Sequence, residues 1–348
     1  MTRIAAVRPA LPPYRYPQTS LTEAVAAMCL PDGRGTALLR RLHANAGVSY
    51  RHLALPLEEY AVLDDFGTAN DAWIATAVDL GAEAVAGAVK DAGLTLDDVD
   101  VLMFTTVTGV AAPSIDARVA LRLGLRDDVK RLPLFGLGCV GGAAGIARLH
   151  DYLTAWPSHV AVLLSVELCS LTLQRDDASL PNLVGGALFG DGAAAVVMTG
   201  SEHPSASGPS VVATRSRLYP DSERVMGWDV GAGGFRIVLG ADVPDVVRTY
   251  LGSDVRGFLG DHGLSVADIG TWVSHPGGPK VLEAVAETLE LQPGALELTW
   301  KSLDAVGNLS SSSVLHVLGD TMRLGPSGPG VLLAMGPGFC SELVLMEW

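Results

Sequence analysis

Short apolar runs alternate with longer amphipathic or alanine-rich stretches along almost the whole chain. Residues 101–106 (VLMFTT) and 160–166 (VAVLLSV) are β-branched and aliphatic runs, too short for helices and too continuous for half-exposed strands. They predict fully buried strands. Residues 71–92 are alanine-rich with helical spacing and predict a helix. Ser20-Leu-Thr-Glu23 has the spacing of a capping box ahead of another helix. Further along, RLPLFGLG reads as a strand and its turn, VGGAAGIARLHDYL as a helix, TWVSH as a strand, and KVLEAVAETLEL and SSSSVLHVLGDTM as helices. This alternation predicts an α/β fold.

The pattern also occurs twice. AGLTLDDVDVLMFTT at 92–106 is echoed by HGLSVADIGTWVSHP at 262–276, an offset of 170 residues. FGLGCVGGAAGIARLHDYL around Cys139 is echoed by DAVGNLSSSSVLHVLGDTM around Asn308, an offset of 169. GDGAAAVVM near 190–198 and GFCSELVLM near 338–346 form a weaker third pair. Three pairs in the same order predict two copies of one α/β half, here 1–205 and 206–348. The polar SEHPSASGP stretch at 201–209 would join them, although a surface loop within one domain has the same composition.

Bulk properties narrow the functional classes. The chain has 348 residues, 49% hydrophobic and 18% charged, enough for a large core and without a disordered segment. A net charge of −14 argues against nucleic acid as a partner. Four cysteines, at 29, 139, 169 and 340, match neither a zinc site nor a CxxC pair, so no metal is expected and a reducing cytoplasm fits. The first 18 residues lack the apolar run of a signal peptide, and 160–173 is too short and too polar to span a bilayer, so no membrane association is expected.

Three residues stand out chemically. Cys139 lies between a strand and a helix start in a glycine-rich turn, the setting of a nucleophile elbow, where unpaired N–H groups and the helix dipole favour a thiolate. The alternative is a small buried cysteine, which is how Cys29, Cys169 and Cys340 read. His275 closes a strand and faces Pro276-Gly277-Gly278, at the strand end where α/β folds place their sites, unless it is structural. Asn308 precedes a helix, where asparagine also serves as a cap. The duplication links them, because Asn308 is the counterpart of Cys139, and His275 of Thr105. Two packed copies would bring these positions to one crevice.

With GLGCVGGAAG at 136–145, ALFGDGAAA at 187–195, SHPGGPK at 274–280 and GNLSSSS at 307–313, nearly the whole chain resembles the type III polyketide synthases, the chalcone-synthase-like branch of the thiolase-fold condensing enzymes. The resemblance implies a thiolase-like fold of two duplicated α/β halves in a five-layer αβαβα arrangement. It implies an acyltransferase with Cys139, His275 and Asn308 catalytic and no cofactor. An acyl-CoA starter would load on Cys139, malonyl-CoA or a substituted malonyl-CoA would extend it, and the product would cyclise. The family's gatekeeping phenylalanines fall on Phe189 and Phe235, and its pocket on Cys169, Thr172 and Met226. Of the basic coenzyme A contacts, Arg41 aligns and Lys280 would substitute for another. A homodimer is implied. MGWDV at 226–230 resembles the bacterial members, whose products include alkylpyrones and alkylresorcinols. Ala112 replaces a methionine of the plant members, and the GFGPG loop reads AMGPG at 334–338. Two alternatives are the initiation ketosynthase of fatty-acid synthesis, which shares the Cys-His-Asn set, and a catalytically silent thiolase-fold partner protein.

Overall fold

A computed structural model describes residues 1–175 and 177–348. The strands are β1 (Arg3–Ala10), β2 (Tyr14–Pro17), β3 (Tyr50–Leu53), β4 (Val101–Thr106), β5 (Lys130–Phe135), β6 (Val160–Leu168), β7 (Asp191–Thr199), β8 (Ser210–Leu218), β9 (Met226–Gly231), β10 (Gly234–Leu239), β11 (Thr271–Ser274), β12 (Pro329–Gly336) and β13 (Cys340–Glu347). The helices are α1 (Gln18–Cys29), α2 (Thr36–Ala44), α3 (Phe66–Asp91), α4 (Ile115–Leu123), α5 (Gly141–Ala155), α6 (Leu180–Leu188), α7 (Val243–Gly260), α8 (Pro279–Thr288), α9 (Glu297–Val306) and α10 (Ser313–Leu324).

The two continuous apolar runs form β4 and β6, each buried at every position. Nine strands make one sheet in the order β11-β12-β13-β8-β1-β7-β6-β4-β5. Its two parts repeat one pattern. In one, β4 runs parallel to β6, β6 antiparallel to β7, and β7 antiparallel to β1. In the other, β11 runs parallel to β12, β12 antiparallel to β13, and β13 antiparallel to β8. Within the sheet the parts meet where Arg3 of β1 pairs with Ser210 of β8, flanked by Ile4 N–H to Pro209 O at 2.9 Å and Val211 N–H to Thr2 O at 3.0 Å. The paired sequences at 92–106 and 262–276 also share a local solution: each opens on a reciprocal capping box, Thr95 with Asp98 and Ser265 with Asp268.

Three apolar clusters define the layering. α3 and α4 pack on the outer face of the first part, α7 and α8 on that of the second, and α5 and α10 fill the space between. This is the thiolase-like, five-layer arrangement. The central helices are the most buried because they have sheet on both sides. α5 is Gly141-Gly-Ala-Ala-Gly145 at its start, and it meets the turn before α10 so closely that a methyl on Gly142 would overlap the Ser311 carbonyl.

Some boundaries differ from the sequence reading. α1 begins at Gln18, so Ser20 and Glu23 lie inside it and form no capping box. The backbone N–H of Gln18 is taken by Ser49 O at 2.9 Å, and Glu23 pairs with Arg40 of α2, so tertiary contacts set the helix start. α3 starts at Phe66, capped by Asp65, whose carboxylate accepts Thr68 N–H at 2.9 Å. By length and composition α3 is the one described helix apolar enough to cross a membrane, but it packs lengthwise on β1, β6 and β7, and half of its most apolar window is buried.

Candidate active site

Cys139 lies in a short helical turn, Gly138–Val140, between β5 and α5. The turn is possible because Gly138 adopts φ +53°, and a side chain there would run into Pro337, 2.5 Å from the Cβ position. Pro337 follows β12 directly, so the AMGPG segment at 334–338 turns against the cysteine's own turn. Cys139 is buried, and its thiol faces Ser310 Oγ at 3.8 Å. Burial pushes the thiol up to about 12, with the neighbouring Glu167 carboxylate adding to the rise and the Ser310 contact opposing it. Burial therefore opposes the thiolate expected from the helix start, and α5 itself begins two residues later.

His275 follows β11 directly and extends its ladder, its N–H donating to Leu333 O at 2.9 Å. Neither ring nitrogen has a hydrogen-bond partner among the described residues. Burial lowers its pKa to about 3, so the ring is neutral at pH 7. Asn308 is held by backbone on both sides: its N–H donates to Leu188 O at 2.8 Å, and its carbonyl accepts Gly190 N–H at 2.9 Å. Ser310 N–H donates to Asn308 Oδ1 at 2.8 Å. A backbone N–H must face an acceptor, so this contact assigns the carboxamide oxygen and leaves Nδ2 as the outward donor. Ser310 makes that contact in a left-handed conformation, φ +48°, at a cost of about 1–3 kcal/mol that the surrounding packing must meet.

Cys139, His275 and Asn308 line one cavity, with Phe189, Met226 and Phe339 among its apolar walls. An adjoining cavity reaches Cys139 from another side and is lined by Val107, Cys169, Phe189, Met226, Trp228 and Ser310. Cys169 and Thr172 also line a third cavity beyond Phe189, beside Tyr60 and Arg51. Phe235 is set apart from the cysteine. It packs edge-on against Phe66 at 5.4 Å and near Trp228 and Phe135, and it borders a separate, open cavity. Arg41 and Lys280 are exposed and line none of these cavities. The loop after α2 does reach α8: a methyl on Gly47 would lie 3.1 Å from Pro279 Cγ.

Several residues at the site escaped the sequence reading. The polar interruptions of the apolar run 160–173 carried the signal. Ser165 bonds Ser311 and Ser312 at 2.8 and 2.7 Å. Glu167 accepts from Ser311 Oγ at 2.5 Å, Thr108 Oγ1 at 3.0 Å and Val107 N at 3.1 Å. Ser170 donates to Asp191 and bonds Tyr60. Ser165 and Glu167 tie β6 to the turns at the site, and Ser170 ties the turn after β6 to the start of β7. Among the described residues no cluster of His, Cys, Asp and Glu is arranged to hold a metal ion.

Comparison with known proteins shows the family. Residues 46–203 match the N-terminal domain of the chalcone and stilbene synthases, and residues 210–347 match their C-terminal domain. The chain is 62% identical to a 1,3,6,8-tetrahydroxynaphthalene synthase of Streptomyces peucetius, covering all of this chain and 93% of that one. It is 30% identical to a phloroglucinol synthase of Pseudomonas fluorescens, over 97% of this chain and 98% of that one. The crystal structure of the 1,3,6,8-tetrahydroxynaphthalene synthase of Streptomyces coelicolor, described as a bacterial type III polyketide synthase, superimposes with a TM-score of 0.94 at 29% identity, over 99% of each chain.

Proposed function

The chain belongs to the chalcone and stilbene synthases, the type III polyketide synthases, and from that premise we propose that it assembles a tetrahydroxynaphthalene from malonyl-CoA on Cys139. Polyketide synthases of this type perform decarboxylative Claisen condensations on CoA thioesters, so this chain is an enzyme, and the initiation ketosynthase and silent-partner alternatives fall away. The catalytic reading rests on one observation: three side chains spread over 169 residues of sequence, Cys139, His275 and Asn308, share a single buried cavity.

The mechanism follows from the shared cavity. His275 has no partner of its own there, so it is free to take the Cys139 proton, or to hold the thiolate as an ion pair, as sulfur attacks the starter thioester carbonyl. The carbon–sulfur bond to coenzyme A breaks, and the departing thiolate recovers a proton, leaving an acyl group on Cys139. Malonyl-CoA then places its thioester oxygen between the His275 ring N–H and Asn308 Nδ2. The bond to CO₂ breaks and its electron pair becomes an enolate, whose oxygen those two donors stabilise in a dry site. The enolate carbon attacks the acyl carbon of Cys139, the sulfur leaves, and the lengthened chain can return to it.

The 62% relative guides the product. A naphthalene skeleton has ten carbons, five two-carbon units, and leaves none for a fatty tail. This replaces the alkylpyrone or alkylresorcinol product expected from the MGWDV segment. Phe189 and Met226, together with Cys169, would shape the cyclising chain, Thr172 the space beyond Phe189, and Phe235 the outer wall. Arg41 and Lys280 would meet coenzyme A at the surface. The halves 1–205 and 206–348 are read as the two copies. We read a homodimer from the open edge strand β5, which carries the exposed Leu132 and Phe135 (53% exposed), and a cytoplasmic location from the CoA substrates.

Purified protein given malonyl-CoA alone should yield tetrahydroxynaphthalene by liquid chromatography and mass spectrometry, with a thioester adduct mapped to Cys139. Products made only when a fatty acyl-CoA is supplied would reject the starter, and an acyl group on any other residue would reject the scheme.

A further inference from the structure

One buried cation touches both loops that carry the wall and the oxyanion donor. Arg51, in β3, is only 4% exposed. Its Nη1 donates to Phe189 O at 2.8 Å and its Nε to Gln18 Oε1 at 3.1 Å. Its stem lies against two glycines: a methyl on Gly190 would meet Arg51 Cγ at 3.5 Å, and one on Gly307 would meet it at 3.1 Å. These glycines directly follow Phe189 and precede Asn308. The two segments are joined across an isolated parallel bridge, Phe189 with Asn308, by the hydrogen bonds through Leu188 and Gly190. The guanidinium therefore grips the central carbonyl of the segment that grips Asn308.

The surroundings are built to hold that cation in place. Gln18 Nε2 is anchored on Ala187 O at 2.8 Å, so Gln18 ties Arg51 to the end of α6 just before Phe189. The fully buried Asp191 carboxylate supplies counter-charge without a direct ion pair, while accepting Ala54 N–H at 2.6 Å and Ser170 N–H at 2.8 Å. Desolvating a guanidinium is costly, and an apolar side chain would fill β3 without that cost. What an apolar residue cannot do is fork two donors at fixed angles, and lysine cannot do it either.

We propose that Arg51 is a positioning residue for condensation: by clamping the Phe189 carbonyl and bracing Gly190 and Gly307, it sets the angle at which Asn308 presents its carboxamide to the malonyl thioester. The proposal rests on the assignment of Asn308 as the oxyanion donor. Arg51 touches no reacting atom, so its effect travels only through the bridge. Cys139 stands on a different element, the turn between β5 and α5, and acyl loading does not pass through the bridge.

The test compares Arg51→Lys with wild type in three measurements: acyl loading of Cys139 by rapid-quench mass spectrometry, malonyl-CoA decarboxylation, and the melting temperature. In folded Arg51→Lys, kcat for decarboxylation should fall about 10–100-fold, as for a misplacement of about 1 Å. Loading and the KM for malonyl-CoA should stay within about twofold. Added to Asn308→Ala, Arg51→Lys should cause no further loss, because both act on one donor. Decarboxylation within twofold of wild type, an equal fall in loading, or a full additional loss on top of Asn308→Ala would each overturn the role. If Arg51→Lys does not fold, Gln18→Met, which frees the guanidinium at Nε, carries the same expectations and refutations. Wild-type protein that neither loads nor decarboxylates would overturn the functional reading and this role with it; an active wild type beside an unaffected variant overturns the role alone.

Discussion

The crossing of the two central helices is a sensitive place to test this geometry. Gly142 stands in the first turn of α5, and replacing it with alanine adds one methyl group. That methyl would overlap the Ser311 carbonyl oxygen and lie 2.9 Å from Val314 Cγ1 and 3.1 Å from Leu315 Cγ. Two effects of opposite sign compete. Alanine raises helix propensity by about 0.5–1 kcal/mol relative to glycine. Overpacking a filled core costs about 1–3 kcal/mol. Here the nearest atom is backbone, fixed by the Ser311 bonds to Ser165 and Glu167, so it yields less readily than a side-chain tip. The clash should win by about 1–2 kcal/mol. For cooperative unfolding of a chain this long, that lowers the melting temperature by roughly 1–3 °C. The larger effect should be on rate. Relief of the clash displaces the 310 turn Ser310–Ser312, and Ser310 N–H orients the Asn308 carboxamide. A shift approaching 1 Å there should slow decarboxylation about 10–100-fold. Gly260→Ala is the control: exposed at the end of α7 with nothing within 4 Å of its Cβ position, it should leave both readouts unchanged or raise the melting temperature slightly. Gly142→Ala protein melting at or above wild type with undiminished decarboxylation would refute the argument.

Asn308→Ala should reduce malonyl-CoA decarboxylation about 10²–10³-fold while acyl loading of Cys139 persists, and equal loss of both steps would contradict the assignment. Phe235→Ala should act mainly on stability, costing about 3–5 kcal/mol through loss of contact with Phe66, Phe135 and Trp228, with single-turnover loading of the folded fraction close to wild type. A selective loss of loading without destabilisation would instead place Phe235 at the reacting cysteine. Acid should destabilise the fold through its buried neutral histidines. Burial lowers His275 to about 3 and His316 to about 4, below the ordinary value near 6.5, so their contribution is complete above pH 6.5 and is lost as pH falls toward those values. Each contributes a slope of up to about 1.4 kcal/mol per pH unit in that window. His316 Nε2–H donates to Ala193 O at 2.9 Å, a bond glutamine can replace, so His316→Gln should flatten the decline in melting temperature between pH 6.5 and 4. Parallel curves for variant and wild type would count against it.

Much of the architecture was present in local patterns. β4 and β6 are buried on both faces, so every position in them must be apolar or internally paired, and such runs are visible without coordinates. The twofold repetition was visible because each half must solve the same packing problem, down to the matched capping boxes at Thr95 and Ser265. Repetition also linked Cys139, His275 and Asn308, since symmetry-related turns meet where two copies pack. Tertiary structure decided whatever depended on burial and on contacts between distant segments. The helix start at Ser20 was misread because Ser49 and Arg40 draw α1 into a longer helix. Burial, which no local motif reports, opposes the thiolate expected at Cys139. Phe235 and Phe189 look alike along the chain, yet only Phe189 borders the cysteine. Arg51 left no trace, since an arginine in a four-residue strand is ordinary until the loops around 189 and 308 close over it. A sequence records which groups prefer water and which turn shapes are allowed, whereas charge state and alignment arise from the field and neighbours that exist only once the chain has folded.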